Sequence, residues 1–236
     1  SQKARQAQRD VCWPLYKKRT NVDMRFAIGV PLTTAPNPKS HNQGVRANVD
    51  EQTASQQLLN ESALFNDLLF TPNRDMYTDL TLKVISYLSW GVGQGRYDYI
   101  VKTDDEYCLD TVTFDALLKR EHQHEYFGWY FWKGDEYSIM KGPNNIVAPF
   151  MSGAVFGLSA DLASRIVMDD AAHTNTYLSY GTSSDDANVG KWVQYAAATH
   201  GLDVKYIHNS KLLWCPKGPL KKGGRLACKI ETLKTV

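Results

Sequence analysis

Apolar runs and polar breaks alternate along this chain at the spacing of a layered α/β fold. Arg25-Phe26-Ala27-Ile28-Gly29-Val30 predicts a buried first strand, and residues 31–44, rich in Pro, Thr, Asn and Ser, predict a loop behind it. Residues 49–62 are compatible with a helix carrying Leu58 and Leu59, and Asp67-Leu68-Leu69-Phe70 reads as a short strand. Over residues 79–90, Leu80, Leu82, Val84, Ile85 and Leu88 fall at helical spacings, with Asp79 placed as the N-cap. Gly91-Val92-Gly93-Gln94-Gly95 then reads as a helix-to-strand connection. It follows a helix and precedes a strand, the reverse of the order a dinucleotide fingerprint requires. Tyr99-Ile100-Val101-Lys102-Thr103 is the next strand, the aromatic run at 126–132 predicts another with one side buried, and residues 204–208 a third. Helices alternating with strands predict a largely parallel sheet flanked by helices, with ligands at the carboxyl ends of its strands.

The run at 99–103 ends in Asp104-Asp105-Glu106. Three adjacent carboxylates repel one another, and in a cleft their pKa values would rise unless a cation neutralised them. Hard oxygen donors suit Mg²⁺ or Mn²⁺. A solvated acidic turn is the bland alternative. His122 and His124 lie in the charged stretch Glu121-His122-Gln123-His124-Glu125, which reads as an exposed helix end. Lys83, in mid-helix, reads on pattern alone as a snorkelling surface lysine.

Composition narrows the class. With 236 residues, 43% of them hydrophobic, the chain can bury one substantial core, so 1–236 is read as a single domain. A net charge of +2 gives no electrostatic case for nucleic acid. Basic residues gather late, at Lys211, Lys217, Lys221, Lys222, Arg225 and Lys229, so 211–236 reads as a solvated basic segment, with contact to an anionic substrate as the sharper alternative. No apolar run is long enough to span a bilayer, so any membrane attachment is expected from a segment absent from this chain. Cys12, Cys108, Cys215 and Cys228 lack CxxC spacing, which argues against zinc; their even number permits two disulfides without requiring them. Asn60-Glu61-Ser62 is an N-glycosylation sequon. No P-loop or kinase signature supports phosphoryl transfer.

Several short motifs follow in a fixed order: Leu59-Asn60-Glu61-Ser62, Asp67-Leu68-Leu69, Tyr77-Thr78-Asp79-Leu80-Thr81-Leu82-Lys83 and Lys102-Thr103-Asp104-Asp105-Glu106. Pro149-Phe150-Met151-Ser152-Gly153 and Ser184-Asp185-Asp186-Ala187-Asn188-Val189-Gly190 complete the set, and Arg9 with Trp13 approximates an early R-x-x-x-W. The ordered set resembles the β-1,3-galactosyltransferase/N-acetylglucosaminyltransferase family (glycosyltransferase family 31, which includes the fringe enzymes), over nearly the whole chain. The resemblance implies a GT-A type nucleotide-sugar-binding sandwich that uses Mn²⁺ to move a hexose or N-acetylhexosamine from a UDP-sugar to a glycan hydroxyl. Inversion at the anomeric carbon and a β-1,3 linkage follow from it, as does the Golgi lumen as location, as the soluble part of a type II membrane protein.

The same resemblance assigns roles. Asp105 and Glu106 approach the metal, and His208 closes a strand where the family often places a metal-binding histidine. Asp104 faces the ribose or nucleotide. Arg9, Ile28, Gly29, Lys83 and Gly153 belong to the nucleotide-sugar side, with Gly29 letting backbone approach the uracil. Asp186 is the choice for the base that takes the acceptor proton, with Asp185 beside it and Ser184 or Asp185 capping the helix. Trp129 and Trp132 are offered as acceptor platforms. The chain departs from the pattern at Glu106, usually Asp, whose extra methylene moves the carboxylate by about one C–C bond, and ~1 Å of misplacement is costly in a catalytic site. That departure motivates an alternative, a catalytically weak or inactive domain of the same shape that binds nucleotide or glycan.

Overall fold

The computed structural model describes residues 2–18, 22–30, 51–75, 79–105, 107–119, 123–132, 148–172 and 184–214. In chain order the elements are α1 (Gln2–Val11), α2 (Trp13–Lys17), β1 (Phe26–Val30), α3 (Glu51–Phe65), β2 (Leu68–Arg74), α4 (Leu80–Gln94), β3 (Tyr99–Thr103), β4 (Cys108–Leu109) and α5 (Thr111–Leu118). They continue with β5 (Glu125–Gly128), β6 (Phe131–Trp132), β7 (Phe150–Met151), β8 (Val155–Ser159), α6 (Ala160–Ala172), α7 (Asp185–His200), β9 (Lys205–His208) and β10 (Leu213–Trp214). The chain is α/β, as the alternation predicts.

The four-stranded sheet has the order β3-β8-β5-β9 and is mixed, which corrects the expectation of a largely parallel one. β3, β5 and β9 run the same way, while β8 lies antiparallel between β3 and β5. The cause is local. β6 pairs antiparallel with β7 and β8 pairs antiparallel with β5, so β5–β6 and β7–β8 lie side by side as two antiparallel arms. The carboxyl ends of β3, β5 and β9 still share one edge. β1 and β2 form a parallel pair, and β4 pairs antiparallel with β10.

Both faces of the four-stranded sheet are covered. Tyr126, Phe156 and Leu158 pack with Val84 and Leu88 of α4, Leu162 and Ile166 of α6, and Val189, Trp192 and Val193 of α7. Phe127, Val155 and Tyr99 pack on the other side with Trp13 and Tyr16 of the N-terminal helices and Phe114 and Leu117 of α5. Tyr126 and Phe127 are both fully buried, so the aromatic strand is enclosed on two sides rather than one. Phe127 fits because its cross-strand neighbour is Gly157, where a Cβ would stand 2.2 Å from the ring.

α4 outlasts its predicted end. It runs through Gly91 and Gly93 and stops at Gly95, whose φ of 62° is the left-handed stop that glycine adopts without a Cβ penalty. At Gly91 a Cβ would lie 2.7 Å from Ile100 Cδ1, so the bare glycine lets the helix press on β3. Asp79 occupies the N-cap position but makes no capping bond; its carboxylate takes Arg74 at 2.8 and 3.0 Å instead, a charge-assisted pair that outcompetes a neutral N–H. Among the described residues no helix is long and apolar enough to cross a membrane.

Candidate active site

The acidic end of β3 meets the acidic start of α7, and Lys102 joins them. Its Nζ donates to Asp104 Oδ1 at 2.6 Å and to the Gly153 carbonyl, and lies 3.7 Å from Asp185 Oδ2. The Lys102 side chain is only 17% exposed, as is that of Asp185. Burial opposes the lysine's charge, but Asp104 and Asp185 outweigh it and hold the ammonium pKa above its usual value. Burial pushes the Asp185 carboxyl up; Lys102 pulls against that, while Asp186 and Asp104 add to it.

Asp186 has a different occupation. Its Oδ2 accepts the Gly153 N–H at 2.8 Å, and its Oδ1 accepts the Ala187 N–H at 2.8 Å and the Ser184 hydroxyl. Ser184 stands at the N-cap position of α7 with extended backbone, yet its side chain makes no capping bond; its hydroxyl donates to Asp186. Gly153 is therefore held from both sides, its N–H by Asp186 and its carbonyl by Lys102.

Asp104, Asp105 and Asp185 line a cleft of about 490 Å³ together with Ile28, Lys83 and Tyr87. The Tyr87 hydroxyl is buried with no hydrogen-bond partner among the described residues. Lys83 donates to Asp75 Oδ1 at 2.6 Å, and both residues line the same cleft. Gly29 has a structural reason of its own: a Cβ there would stand 2.8 Å from the main chain of residues 73–75, where β1 closes on the end of β2. Arg9 is fastened by Asp67 at 2.8 Å through two nitrogens and by Glu61 Oε1 at 2.7 Å, under the rings of Phe26 and Phe65. Burial works against the charge of Glu61, but hydrogen bonds from Arg5 and Arg9 win and lower its pKa.

The donor chemistry suits a hard divalent cation held by one or two carboxylates and completed by substrate phosphates. Asp105 supplies such a carboxylate in the cleft, beside Asp104. Among the described residues no three His, Cys, Asp or Glu side chains converge as a metal cage. Glu106 lies outside the described residues, as do His122, the 31–44 loop, Cys215, Cys228 and the basic residues beyond Lys211. His208 ends β9, in register with Gly128, which aligns through Phe156 with Lys102. Three strand spacings of ~4.8 Å therefore put the His208 backbone about 14 Å from that of Lys102. The His208 ring stands edge-on to Tyr130, with centroids 6.0 Å apart. Trp129 is half-buried against the α5 side of the core. Trp132 lies in β6, and its side chain is not among those described.

The N-terminal helices contribute more than Arg9. Arg5, Gln8, Arg9, Cys12, Trp13 and Tyr16 are all buried and follow the helical spacing of three and four. Gln8 Nε2 donates at 2.9 Å to the carbonyls of both Asp105 and Tyr107, a disulfide joins Cys12 to Cys108, and the Tyr16 hydroxyl accepts the Leu109 N–H. Burial, the largest influence, lifts the Tyr16 pKa to about 12. Polar residues in a helical stripe beside Trp and Tyr were the available signal for this interface.

A family model described as galactosyltransferase matches residues 44–201, about two thirds of the chain. Curated relatives agree. UDP-GalNAc:beta-1,3-N-acetylgalactosaminyltransferase 2 of Mus musculus is 23% identical over 155 residues, covering 61% of this chain and 29% of that protein. UDP-GalNAc:beta-1,3-N-acetylgalactosaminyltransferase 1 of Mus musculus is 27% identical over 135 residues, 52% of this chain and 41% of that protein. The hydroxyproline O-galactosyltransferase GALT6 of Arabidopsis thaliana is 27% identical over 172 residues, 69% of this chain and 24% of that protein. The chain thus spans well under half the length of each of these relatives.

Proposed function

The chain belongs to the galactosyltransferase family, and from that premise we propose that it moves a hexose or N-acetylhexosamine from a UDP-sugar to a glycan hydroxyl, with inversion and a β-1,3 linkage. The observation that carries the reading is Lys102, which gathers the acidic strand end and the acidic start of α7 into one cleft. Donor departure and acceptor deprotonation need opposite charges within one sugar's length of each other, and this cluster supplies groups for both. The names of the relatives divide between UDP-GalNAc and galactose, so the donor class is kept at hexose or N-acetylhexosamine.

A bound Mn²⁺ would supply positive charge to stabilise the departing UDP. Asp105, with Glu106 next to it, would hold the ion. Asp104, steadied by Lys102, faces the nucleotide, and Lys83 lies on the same wall of the cleft. The Asp185–Asp186 pair takes the acceptor proton: Asp186 is the match to the family motif, and Asp185 is the member in the cleft whose carboxyl burial makes more basic. The Golgi lumen is the corresponding compartment, and the acceptor is a glycan rather than a nucleic acid.

UDP release from a panel of UDP-sugars, with Mn²⁺, Mg²⁺ or EDTA and a broad acceptor mixture, tests this reading. Metal-dependent release from one donor, abolished in Asp105→Asn and in the Asp185→Asn/Asp186→Asn double variant, is expected. UDP binding without release from any donor would replace the transferase with a binding domain of the same shape.

A further inference from the structure

The acidic turn after β3 is not held by its own strand alone. Gln8, 4% exposed, reaches from α1 to the carbonyls of Asp105 and Tyr107, so one side-chain amide grips the main chain on both sides of position 106. One turn further along, the Cys12–Cys108 disulfide fixes the next point of the same segment, and Tyr16 takes the N–H of Leu109. The opposite side of α1 is anchored independently, through Arg5 and Arg9 to Glu61 of α3 and Asp67 before β2. The helical arm is thus braced against α3 and β2 while it grips residues 105–109.

We propose that the N-terminal arm is a working part of the donor site, and that Gln8 is a positioning residue that sets the metal-facing carboxylate of Asp105 through the main chain of Asp105 and Tyr107. This rests on reading the cleft as the UDP-sugar and cation site. The physical reason is economy of geometry. A carboxylate on a turn is only as well placed as its backbone, and a primary amide has two N–H donors to offer two carbonyls at once. Partners one step behind the ligands commonly set metal affinity by 10- to 100-fold. Reaching the turn from a separate helix also makes its geometry depend on the docking of that helix, which the buried ion pairs and the disulfide secure.

The test is Mn²⁺ binding in the presence of UDP, followed by electron paramagnetic resonance, alongside the Mn²⁺ dependence of UDP release. Gln8→Met keeps the volume and removes both donors. It is expected to weaken Mn²⁺ binding about tenfold and raise the KM for Mn²⁺ correspondingly, with kcat at saturating Mn²⁺ within about twofold of wild type. Gln6→Ala, on the exposed side of the same helix, is expected to bind Mn²⁺ as wild type does. A Gln8→Met protein that melts lower but binds Mn²⁺ with unchanged affinity overturns the proposal, because that is the signature of a purely structural bond. If Gln8→Met does not fold, Gln8→Ala, which also removes both donors, takes its place: weakened Mn²⁺ binding in the folded variant supports the proposal and wild-type affinity overturns it. A wild-type protein that binds neither UDP nor Mn²⁺ removes the reading of the cleft itself, and the proposal with it.

Discussion

The Lys102 ammonium and the Asp185 carboxylate lie 3.7 Å apart, each with a side chain 17% exposed, although 83 positions separate them in sequence. The distance is longer than a hydrogen bond, so the coupling is electrostatic, and in a buried setting it decides how readily Asp185 ionises. The groups that face Asp185 are Lys102 and Asp104 from the β3 side, Asp186 on α7, Tyr87 on α4 and Tyr126 on β5. Lys102 is the cation among them, and it opposes the burial that pushes Asp185 up.

Replacing Lys102 by Met should therefore raise the Asp185 pKa further. Activity that needs the Asp185 carboxylate ionised would then begin at higher pH. The acid limb of the UDP-release profile is expected to move upward by about one pH unit, with kcat/KM near neutral pH down at least about tenfold. Lys102→Arg, which keeps the charge, should move the limb less. An acid limb that stays in place in Lys102→Met would show that Asp185 is not what titrates.

Asp185→Asn makes the complementary prediction for stability. The folded-state pKa of Asp185 is raised, so its ionisation is harder in the folded chain than in the unfolded one. Its contribution to stability is full below the unfolded carboxylate pKa and is lost as pH rises through the folded value. At neutral pH the neutral Asn should thus cost nothing and raise Tm by about 2 °C, while cutting activity at least about tenfold. Calorimetry at pH 4 and pH 7.5 checks the sign: the advantage of Asn should shrink at the lower pH. A variant equally destabilised at both would mean the carboxylate is needed for structure.

Gly153→Ala probes the opposite wall of the cluster. A Cβ there would stand 3.3 Å from Asp186 Oδ2 and 3.4 Å from Lys102 Nζ, so both charged ends must give by a few tenths of an ångström. Neither can leave cheaply, since Asp186 holds the Gly153 N–H and Lys102 its carbonyl. Displacing groups that must be positioned this closely is expected to lower kcat about tenfold or more, with Tm within a few degrees of wild type. Near-normal kcat in this variant would separate Gly153 from the chemistry.

Much of this arrangement is legible in the sequence because it depends on local pattern. The strand at Tyr99–Thr103, the acids that follow it and the helix that opens at Asp185 are all marked by runs of like residues. What the sequence hides is pairing. Lys102 reads as one polar position in an apolar strand until Gly153 and Asp185 are brought to it from beyond residue 150. The antiparallel β8 was hidden for a related reason: nothing in its own residues says that it will run antiparallel to both β3 and β5. Gly29 carries a signal that reads two ways, since a glycine that admits a ligand and one that admits a neighbouring strand look alike until residues 73–75 are placed against it.

The Cys12–Cys108 bridge closes a span of 96 residues, and its removal tests how the arm is held. Constraint of the unfolded chain by a loop of that length is worth about 4–5 kcal/mol in the chain-entropy model, and native disulfides typically return about 2–5 kcal/mol. The ion pairs from Arg5 and Arg9 to Glu61 and Asp67 do not need the bridge, so the arm should remain docked without it. The loss should therefore fall on the stability of the whole chain rather than on the fold. Cys12→Ser/Cys108→Ser is expected to unfold at lower guanidinium concentration, with stability down by about 2–5 kcal/mol and a nearly unchanged far-ultraviolet dichroism spectrum. Tyr16→Phe, which strands the buried N–H of Leu109, should add a further ~1–3 kcal/mol. Denaturation curves of the double-serine protein that overlay those of the wild type would mean that the unfolded chain is already constrained there, and the bridge would then matter for the placement of residues 105–109 alone.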